Sequence, residues 1–398
     1  DGIDKMLHLT QGFNFDKTSA VDNTKANWGL RRCIDDVNSY SAGTTAPDGF
    51  YPYGLDGTDV DVVIQDTGTS ADHPEWQNMQ GASRFIELDW YSESGLPGTM
   101  PAGHYTDYHG HGTHCAGITA GKTYGWAKNA NIYAVKVSGL EGPSDPNGGI
   151  STTDCFDVIR LWHLAKTNGR PTVVNMSWGY GRTITTTDPT GGTYRGTPWS
   201  YTGETQNQLW QTYGIVPQLT GASGTSRRIP IRLAQIDAEI EDMIDAGIHV
   251  CIAAGNQYYK IDVPTGLDYN NEVTFSGLTT QYHQGSSPYS EEAFIVGNVD
   301  STTQQDGVVF RDKTAGSSNK GPGTNFWAPG TDIISACSDT NVYGSSAGDY
   351  FTPGYKIANI GGTSMAAPQV AGLIALHLQV DPNASPLQIK NKLVAESK

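Results

Sequence analysis

Apolar positions along the chain come in two rhythms. Residues 60–65, 131–137, 172–176, 248–254 and 294–296 are short, nearly unbroken apolar runs, the length and density of strands buried on both faces. Between them lie segments with helical spacing. Ser151 and Asp154 form an S-x-x-D capping signal ahead of Phe156, Ile159 and Trp162, and Gly169 supplies the stop. Leu233, Ile236, Ile240, Met243 and Ile244 share one helical face and end at Gly247. Residues 364–379 and 385–394 also predict helices, the second with Pro386 at its first position. Strands alternating with helices predict an α/β fold with a mainly parallel central sheet between helical layers. In such sheets functional groups collect beyond the carboxyl ends of the strands.

Two stretches, about 180–230 and 257–290, break the rhythm and are rich in Thr, Gly and Tyr. Structureless loops of that length are uncommon and are usually functional or locally folded. Residues 1–27 are polar and aperiodic and read as an arm or processing remnant, leaving 28–398 as one folded domain.

Composition narrows the function classes. Of 398 residues only 17% are charged while 37% are hydrophobic, so a solvated polyampholyte is excluded. Lys and Arg total 25 against 41 acidic residues, a net charge of −16, which repels nucleic acid and anionic lipid. No apolar run approaches the ~20 residues of a membrane span. The five cysteines, Cys33, Cys115, Cys155, Cys251 and Cys337, contain no C-x-x-C pair. Their odd number leaves at least one thiol free, and two distant disulfides stay open as an alternative to buried thiols. The opening Asp-Gly-Ile-Asp has no basic start and no apolar signal stretch, so the chain reads as either cytosolic or, the favoured alternative, a processed mature chain.

Three segments carry chemistry. Asp66-Thr-Gly68 ends the first strand; His109-Gly-His111-Gly-Thr-His114 sits where a helix begins; Gly361-Gly-Thr-Ser364-Met-Ala-Ala-Pro368 opens a second helix rich in small residues. A serine hydroxyl is a weak nucleophile that needs a base within reach and an acceptor to orient that base, so one carboxylate, one imidazole and one hydroxyl at strand ends form a candidate triad.

In the order Asp, His, Ser these motifs resemble the subtilases, the subtilisin-like serine proteases. Trp28-Gly-Leu-Arg31, His73-Pro-Glu-Trp76, Asn175-Met-Ser-Trp-Gly179, Ala253-Ala-Gly-Asn256 and Phe326-Trp-Ala-Pro-Gly330 resemble further family segments in family order. His111 to Gly117 with Thr123-Tyr-Gly-Trp-Ala-Lys128 is most similar to the proteinase K branch. The resemblance implies a serine endopeptidase with a three-layer subtilisin-like fold in which Ser364 attacks the scissile carbonyl, His111 shuttles the proton and Asp66 orients His111. It implies Asn256 as oxyanion donor beside the Ser364 N–H. Ser177, Trp178 and Gly179 would pair with an extended substrate, and Ala253, Ala254 and Gly255 would wall the specificity pocket. Small, uncharged walls predict broad cleavage with an apolar or aromatic preference. The implied protein is secreted and monomeric, acts on protein or peptide substrates, and needs no cofactor for its chemistry, with structural calcium as an accessory.

The chain also departs from the family pattern. The segment between Ser177 and Asn256 is long. Trp178 replaces a Leu and adds bulk near the substrate strand. Gln369 stands in place of the His that commonly follows the proline, with little consequence expected. Asn325 stands where a calcium-binding Asp is often found, and a neutral amide is the poorer ligand. Asp268, Asn270 and Glu272 alternate oxygen donors and form a second calcium candidate. Three rival motifs carry less weight. His109, His111 and His114 form H-x-H-x-x-H but lack the Asp of metal-dependent hydrolases. Gly344-Ser-Ser346-Ala-Gly348 matches an esterase elbow without a helix signal after it. Cys115 reads as a buried thiol, since no separate base serves it.

Overall fold

A computed structural model describes residues 14–16, 27–32, 50–78, 80–185, 188–221, 224–306, 309–349 and 352–397. The arm expected at 1–27 lies outside the described residues except for 14–16 and 27, and so does Cys33.

The main elements, in chain order, are β1 (Asp61–Asp66), α1 (His111–Ala120), β2 (Asn131–Lys136), α2 (Asp157–Ala165), β3 (Thr172–Met176), α3 (Ala234–Asp245), β4 (His249–Ala253), β5 (Phe294–Asp306), β6 (Val309–Thr314), β7 (Phe326–Pro329), α4 (Thr363–Val380) and α5 (Pro386–Glu396). The strands form one sheet in the order β6-β5-β4-β3-β1-β2, with β7 also paired to β5. Every pairing is parallel except the β5–β6 hairpin. Asp61 pairs with Thr172 and Gln65 with Met176, while Cys251 lies between Asn175 and Phe294. These registers put the ends of β1, β3 and β4 along one edge.

Alternation along each strand explains the unbroken apolar runs. Val62, Ile64 and Val173 point into a cluster with Cys115, Ile118, Val370, Ile374 and Leu393, the side covered by α1, α4 and α5. Val63, Val174 and Ile252 point into a second cluster with Phe156, Ile159, Trp162, Ile240 and Met243 of the α2 and α3 side. The α/β expectation therefore holds in three layers, both sheet faces being buried. Small residues let α4 press against α1. A Cβ on Gly372 would fall 2.6 Å from Trp126 Cβ and 2.8 Å from the Thr119 carbonyl oxygen.

Three local expectations need correction. The helix expected from Ser151 begins only at Asp157, because Ser151 Oγ accepts the Asp154 N–H in a preceding turn. The strand expected over 294–296 continues to Asp306 through a bulge. The two long stretches fold, and they fold on each other. Glu272–Phe275, from the second, pairs with Gly191–Tyr194, from the first, within a four-stranded antiparallel sheet. Gly181–Ile184, Gly224–Pro230 and Leu219–Gly221 form a second small sheet. Leu209, Ile215, Val216, Ile229, Tyr259, Val273, Phe275 and Tyr282 fill a separate apolar cluster beneath them.

Candidate active site

Asp66 is the last residue of β1 and is 1% exposed. Its Oδ1 accepts the Thr67 N–H at 2.8 Å and lies 2.7 Å from Nδ1 of His111, the first residue of α1. Burial by itself pushes the His111 pKa down, but the Asp66 carboxylate, assisted by the Cys115 thiol, more than offsets this and holds it well above 6.5.

The start of α1 is fixed by a residue that the sequence motifs did not single out. Asp107, 1% exposed, accepts N–H groups from His109, Gly110 and Thr113 and the hydroxyls of Thr67 and Thr113. A buried carboxylate at a helix start satisfies orphan donors and complements the dipole. Thr67 Oγ1 in turn accepts the Gly112 N–H at 2.9 Å, tying the end of β1 to the first turn of α1. The readable signal was an Asp just ahead of a helix start.

Ser364 is the second residue of α4. Its hydroxyl donates to the Ser177 carbonyl at 3.0 Å, and among the described hydrogen bonds none joins it to His111. Helix α4 contains Pro368, which has no N–H to return to the carbonyl four residues back. That carbonyl belongs to Ser364. It accepts the Ser177 hydroxyl at 2.9 Å and the Cys115 thiol at 3.4 Å instead. The missing helix bond thereby ties the serine to the strand end at Ser177 and to α1. Cys115 Sγ is also 3.9 Å from His111 Nδ1, and burial raises its pKa. A thiol kept protonated in this way is a bridge between the two helices, in line with the buried-thiol expectation.

Asn256 follows β4 and is exposed at the same edge. Its Oδ1 accepts the Thr363 N–H at 2.9 Å and the Thr363 hydroxyl at 3.2 Å. With the carbonyl end pinned, the Nδ2 donors are left without a described acceptor. Thr363 Oγ1 also accepts the Gly255 N–H at 3.0 Å.

The expected substrate-facing residues occupy both sides of Ser364. Ser177 and Gly179 lie on one side, with Gly179 so close to Ser286 that a Cβ would sit 3.0 Å from its Cβ. The indole of Trp178 packs against the second apolar cluster. It lies 6.1 Å from the Phe156 ring and donates to Gln65 Oε1 at 3.2 Å. On the other side Ala253 and Gly255 are partly exposed, whereas Ala254 is buried in the cluster with Trp178.

The remaining candidates fall elsewhere. His114 is buried with Nε2 3.0 Å from the Ala358 carbonyl, and burial pushes its pKa down to about 3. The His109 ring lies 6.0 Å from that of His111 and 5.7 Å from that of Tyr343, but the three histidines do not bring ligand atoms together around one point. Among the described residues, the one His/Cys/Asp/Glu trio close enough for a single ion is Asp66, His111 and Cys115. Ser346 lies on the strand Ser346–Gly348, which pairs with Lys356–Ile360, the wrong setting for a nucleophile elbow. Asn325 spends both ends of its amide on backbone, accepting from Ile295 N at 2.8 Å and donating to Ala293 O at 2.9 Å, a pairing that a carboxylate cannot make. Asp268 is engaged by Arg195 at 2.6 Å and Lys260 at 2.8 Å, and Asn270 is exposed beside it, so this trio does not fit a calcium site. Gln369 is 2% exposed and bonds Asn27, Trp126 and the Pro329 carbonyl, joining the segment before Trp28 to α4. The residue is a buried junction whichever residue is usual there.

Among the described residues no helix is long and apolar enough to cross a membrane. Residues 57–398 match the model of the subtilase family. The chain is 28% identical over 383 residues to the subtilisin-like serine protease Pen c 2 of Penicillium citrinum, covering 96% of this chain and 60% of that protein. It is 27% identical over 369 residues to the extracellular serine proteinase of Thermus sp. (strain Rt41A), covering 93% and 61%. A crystal structure of a cold adapted subtilisin-like serine proteinase superposes with a TM-score of 0.54 at 22% identity, over 92% of this chain and 90% of that one. The chain spans about half to three-fifths of the length of the curated relatives that it matches. With the family model matched over most of its length and the motifs in place at one sheet edge, the chain belongs to the subtilase family.

Proposed function

We propose that the chain is a serine endopeptidase that cleaves peptide bonds through an acyl-enzyme. The observation that carries the reading is the 2.7 Å contact between His111 Nδ1 and Asp66 Oδ1 at the edge where Ser364 begins α4. Asp66 fixes the tautomer that leaves Nε2 free as a base. The mechanism requires the Ser364 hydroxyl to exchange the Ser177 carbonyl for that nitrogen, which takes its proton. The alkoxide attacks the scissile carbonyl, and His111 passes the proton to the departing amine. The oxyanion then meets Asn256 Nδ2 and the first-turn N–H of Ser364, which no helix carbonyl can take. Water repeats the sequence on the ester. Amide donors meet the developing charge, so the bond-breaking steps require no cofactor.

Extended substrates would pair with the backbone of 177–179. Ala253 and Gly255 leave room for a side chain and present no charge to it, which favours broad cleavage with an apolar or aromatic preference. The name of the Thermus relative supports an extracellular protein acting on proteins or peptides. The net charge of −16 disfavours nucleic acid and anionic membranes as partners, and a monomer suffices because the proposed machinery lies within one chain. A fluorophosphonate probe tests the reading. It should label wild type and not Ser364→Ala, and cleavage of a peptide library should vanish with the label. Labelling that persists in folded Ser364→Ala sinks the assignment.

A further inference from the structure

Asn256 stands on a loop that a distant residue grips on both sides. The loop leaves β4 through Gly255, at φ +99°, and turns again at Tyr258, at φ +66°. A non-glycine residue in the left-handed region costs on the order of 1 kcal/mol and persists only where its surroundings impose it. Asn319, completely buried, supplies the constraint. Its Nδ2 donates to the Ala254 carbonyl at 2.9 Å and to Gln257 Oε1 at 3.0 Å. Its Oδ1 accepts the N–H of Gln257 at 3.1 Å and of Tyr259 at 3.0 Å. Its backbone N–H bonds the Gly255 carbonyl at 2.8 Å. A primary amide offers two donors and two lone pairs, and all four are used here. The two residues before Asn256 and two of the three after it are thus tied to Asn319, Gly255 through the backbone N–H and Ala254, Gln257 and Tyr259 through the side chain, while Asn256 itself is not. Space agrees with the bonds, because a Cβ on Gly255 would lie 2.6 Å from Asn319 Nδ2.

We propose that Asn319 is a positioning residue for the oxyanion donor: it sets the backbone from which Asn256 projects, while Thr363 sets the rotation of the Asn256 amide. The proposal rests on Asn256 being that donor. A donor displaced by about 1 Å loses much of its effect, since transition-state stabilisation depends on geometry fixed beforehand. Asn319 acts on turnover through Asn256 and touches no substrate.

The test is a double-mutant cycle on kcat and KM with a chromogenic peptide amide, each variant assayed below its melting temperature. Asn319→Asp keeps the two accepting bonds, loses both donors and is near-isosteric, so it is the variant to read should Asn319→Ala not fold. Asn319→Asp is expected to lower kcat about 10- to 100-fold with KM changed less than about threefold. In an Asn256→Ala background the same change should lower kcat less than about threefold, because the donor being positioned is gone. Equal losses in both backgrounds, or a lowered melting temperature with kcat unchanged, overturn the role of Asn319. An Asn256→Ala enzyme with undiminished kcat instead overturns the reading of Asn256, a separate and recognisable result.

Discussion

His111 Nδ1 lies 2.7 Å from Asp66 Oδ1, and this one contact sets both the orientation and the basicity of the ring. Burial disfavours the imidazolium and the carboxylate favours it, with the balance above the ordinary 6.5. Only neutral imidazole can accept the Ser364 proton, so kcat/KM should rise with pH through a midpoint above 6.5, giving an alkaline optimum. Asp66→Asn removes the main cause of the upward shift. The limb should move to lower pH while kcat falls by about 10⁴-fold from loss of the correct tautomer. A pH–rate series on both enzymes checks this, and a limb that stays put in Asp66→Asn refutes the assignment.

Asn256 offers a cleaner separation of binding from turnover. Its carbonyl is occupied by Thr363, and in the proposed role its Nδ2 donors would act mainly on charge that develops in the transition state. Asn256→Ala should lower kcat by about 10²–10³-fold and leave KM nearly unchanged. Asn256→Asp should be no better, because a carboxylate would repel the oxyanion. A variant with raised KM and unchanged kcat would place Asn256 in ground-state binding.

The parts of this site legible in the sequence were those with a one-dimensional signature. Asp66, His111 and Ser364 each end a strand or open a helix, and apolar runs such as 248–254 marked the strands that carry them. What escaped notice depended on contacts between distant segments. Asn319 lies in a Gly316-Ser-Ser-Asn-Lys-Gly-Pro322 stretch that reads as an ordinary turn, and its partners at 254–259 are some sixty residues away in sequence. The bond linking Ser177 to the carbonyl freed by Pro368 spans 187 residues. The two long stretches looked like separate loops for the same reason: the pairing of Glu272 with Thr193 has no local trace. The size of Trp178 likewise did not reveal its partners, the Phe156 ring and the Gln65 side chain.

Gln369 shows how much a buried amide can hold. It satisfies the Trp126 indole N–H and both ends of the Asn27 amide at a point nearly closed to water. Gln369→Leu would remove these three buried bonds, with Asn27 keeping the Tyr124 carbonyl and the Gly29 N–H, at a cost of about 1–3 kcal/mol. Gln369→His retains one donor and one acceptor and should lose less. Denaturant unfolding measures the difference, and kcat of the folded variants should stay near wild type because none of these groups reaches Ser364. Equal stability of the Leu variant would show that the bonds to Gln369 add nothing net to the fold.

The loop beyond Asn256 is held by ammonium and guanidinium groups where a divalent ion was one expectation. Lys260 bridges Asp262 at 3.0 Å and Asp268 at 2.8 Å, and Arg195 takes the other side of Asp268. Hydrogen bonds from Arg195, together with those from Lys260, hold the Asp268 pKa below 3.8. Burial raises that of Asp262, but the bonds it accepts from the Asp268 N–H and Lys260 outweigh this and lower it as well. Carboxylates with depressed values contribute stability that is complete above the unfolded pKa and is lost as pH falls through the lowered folded value. Lys260, whose pKa is raised, contributes below its ordinary 10.5 and loses that contribution only above it. The network should therefore remain whole from mildly acidic pH to about pH 10. Because Lys260 is 37% exposed, solvent screening keeps the effect modest, and Lys260→Met should cost about 1–2 kcal/mol. Salt should shrink that difference, since screening weakens the pairs of wild type alone. Melting curves with calcium or with a chelator should not alter the gap between wild type and Lys260→Met. A gap that opens only when calcium is removed would mean that an ion, not the lysine, neutralises Asp262 and Asp268.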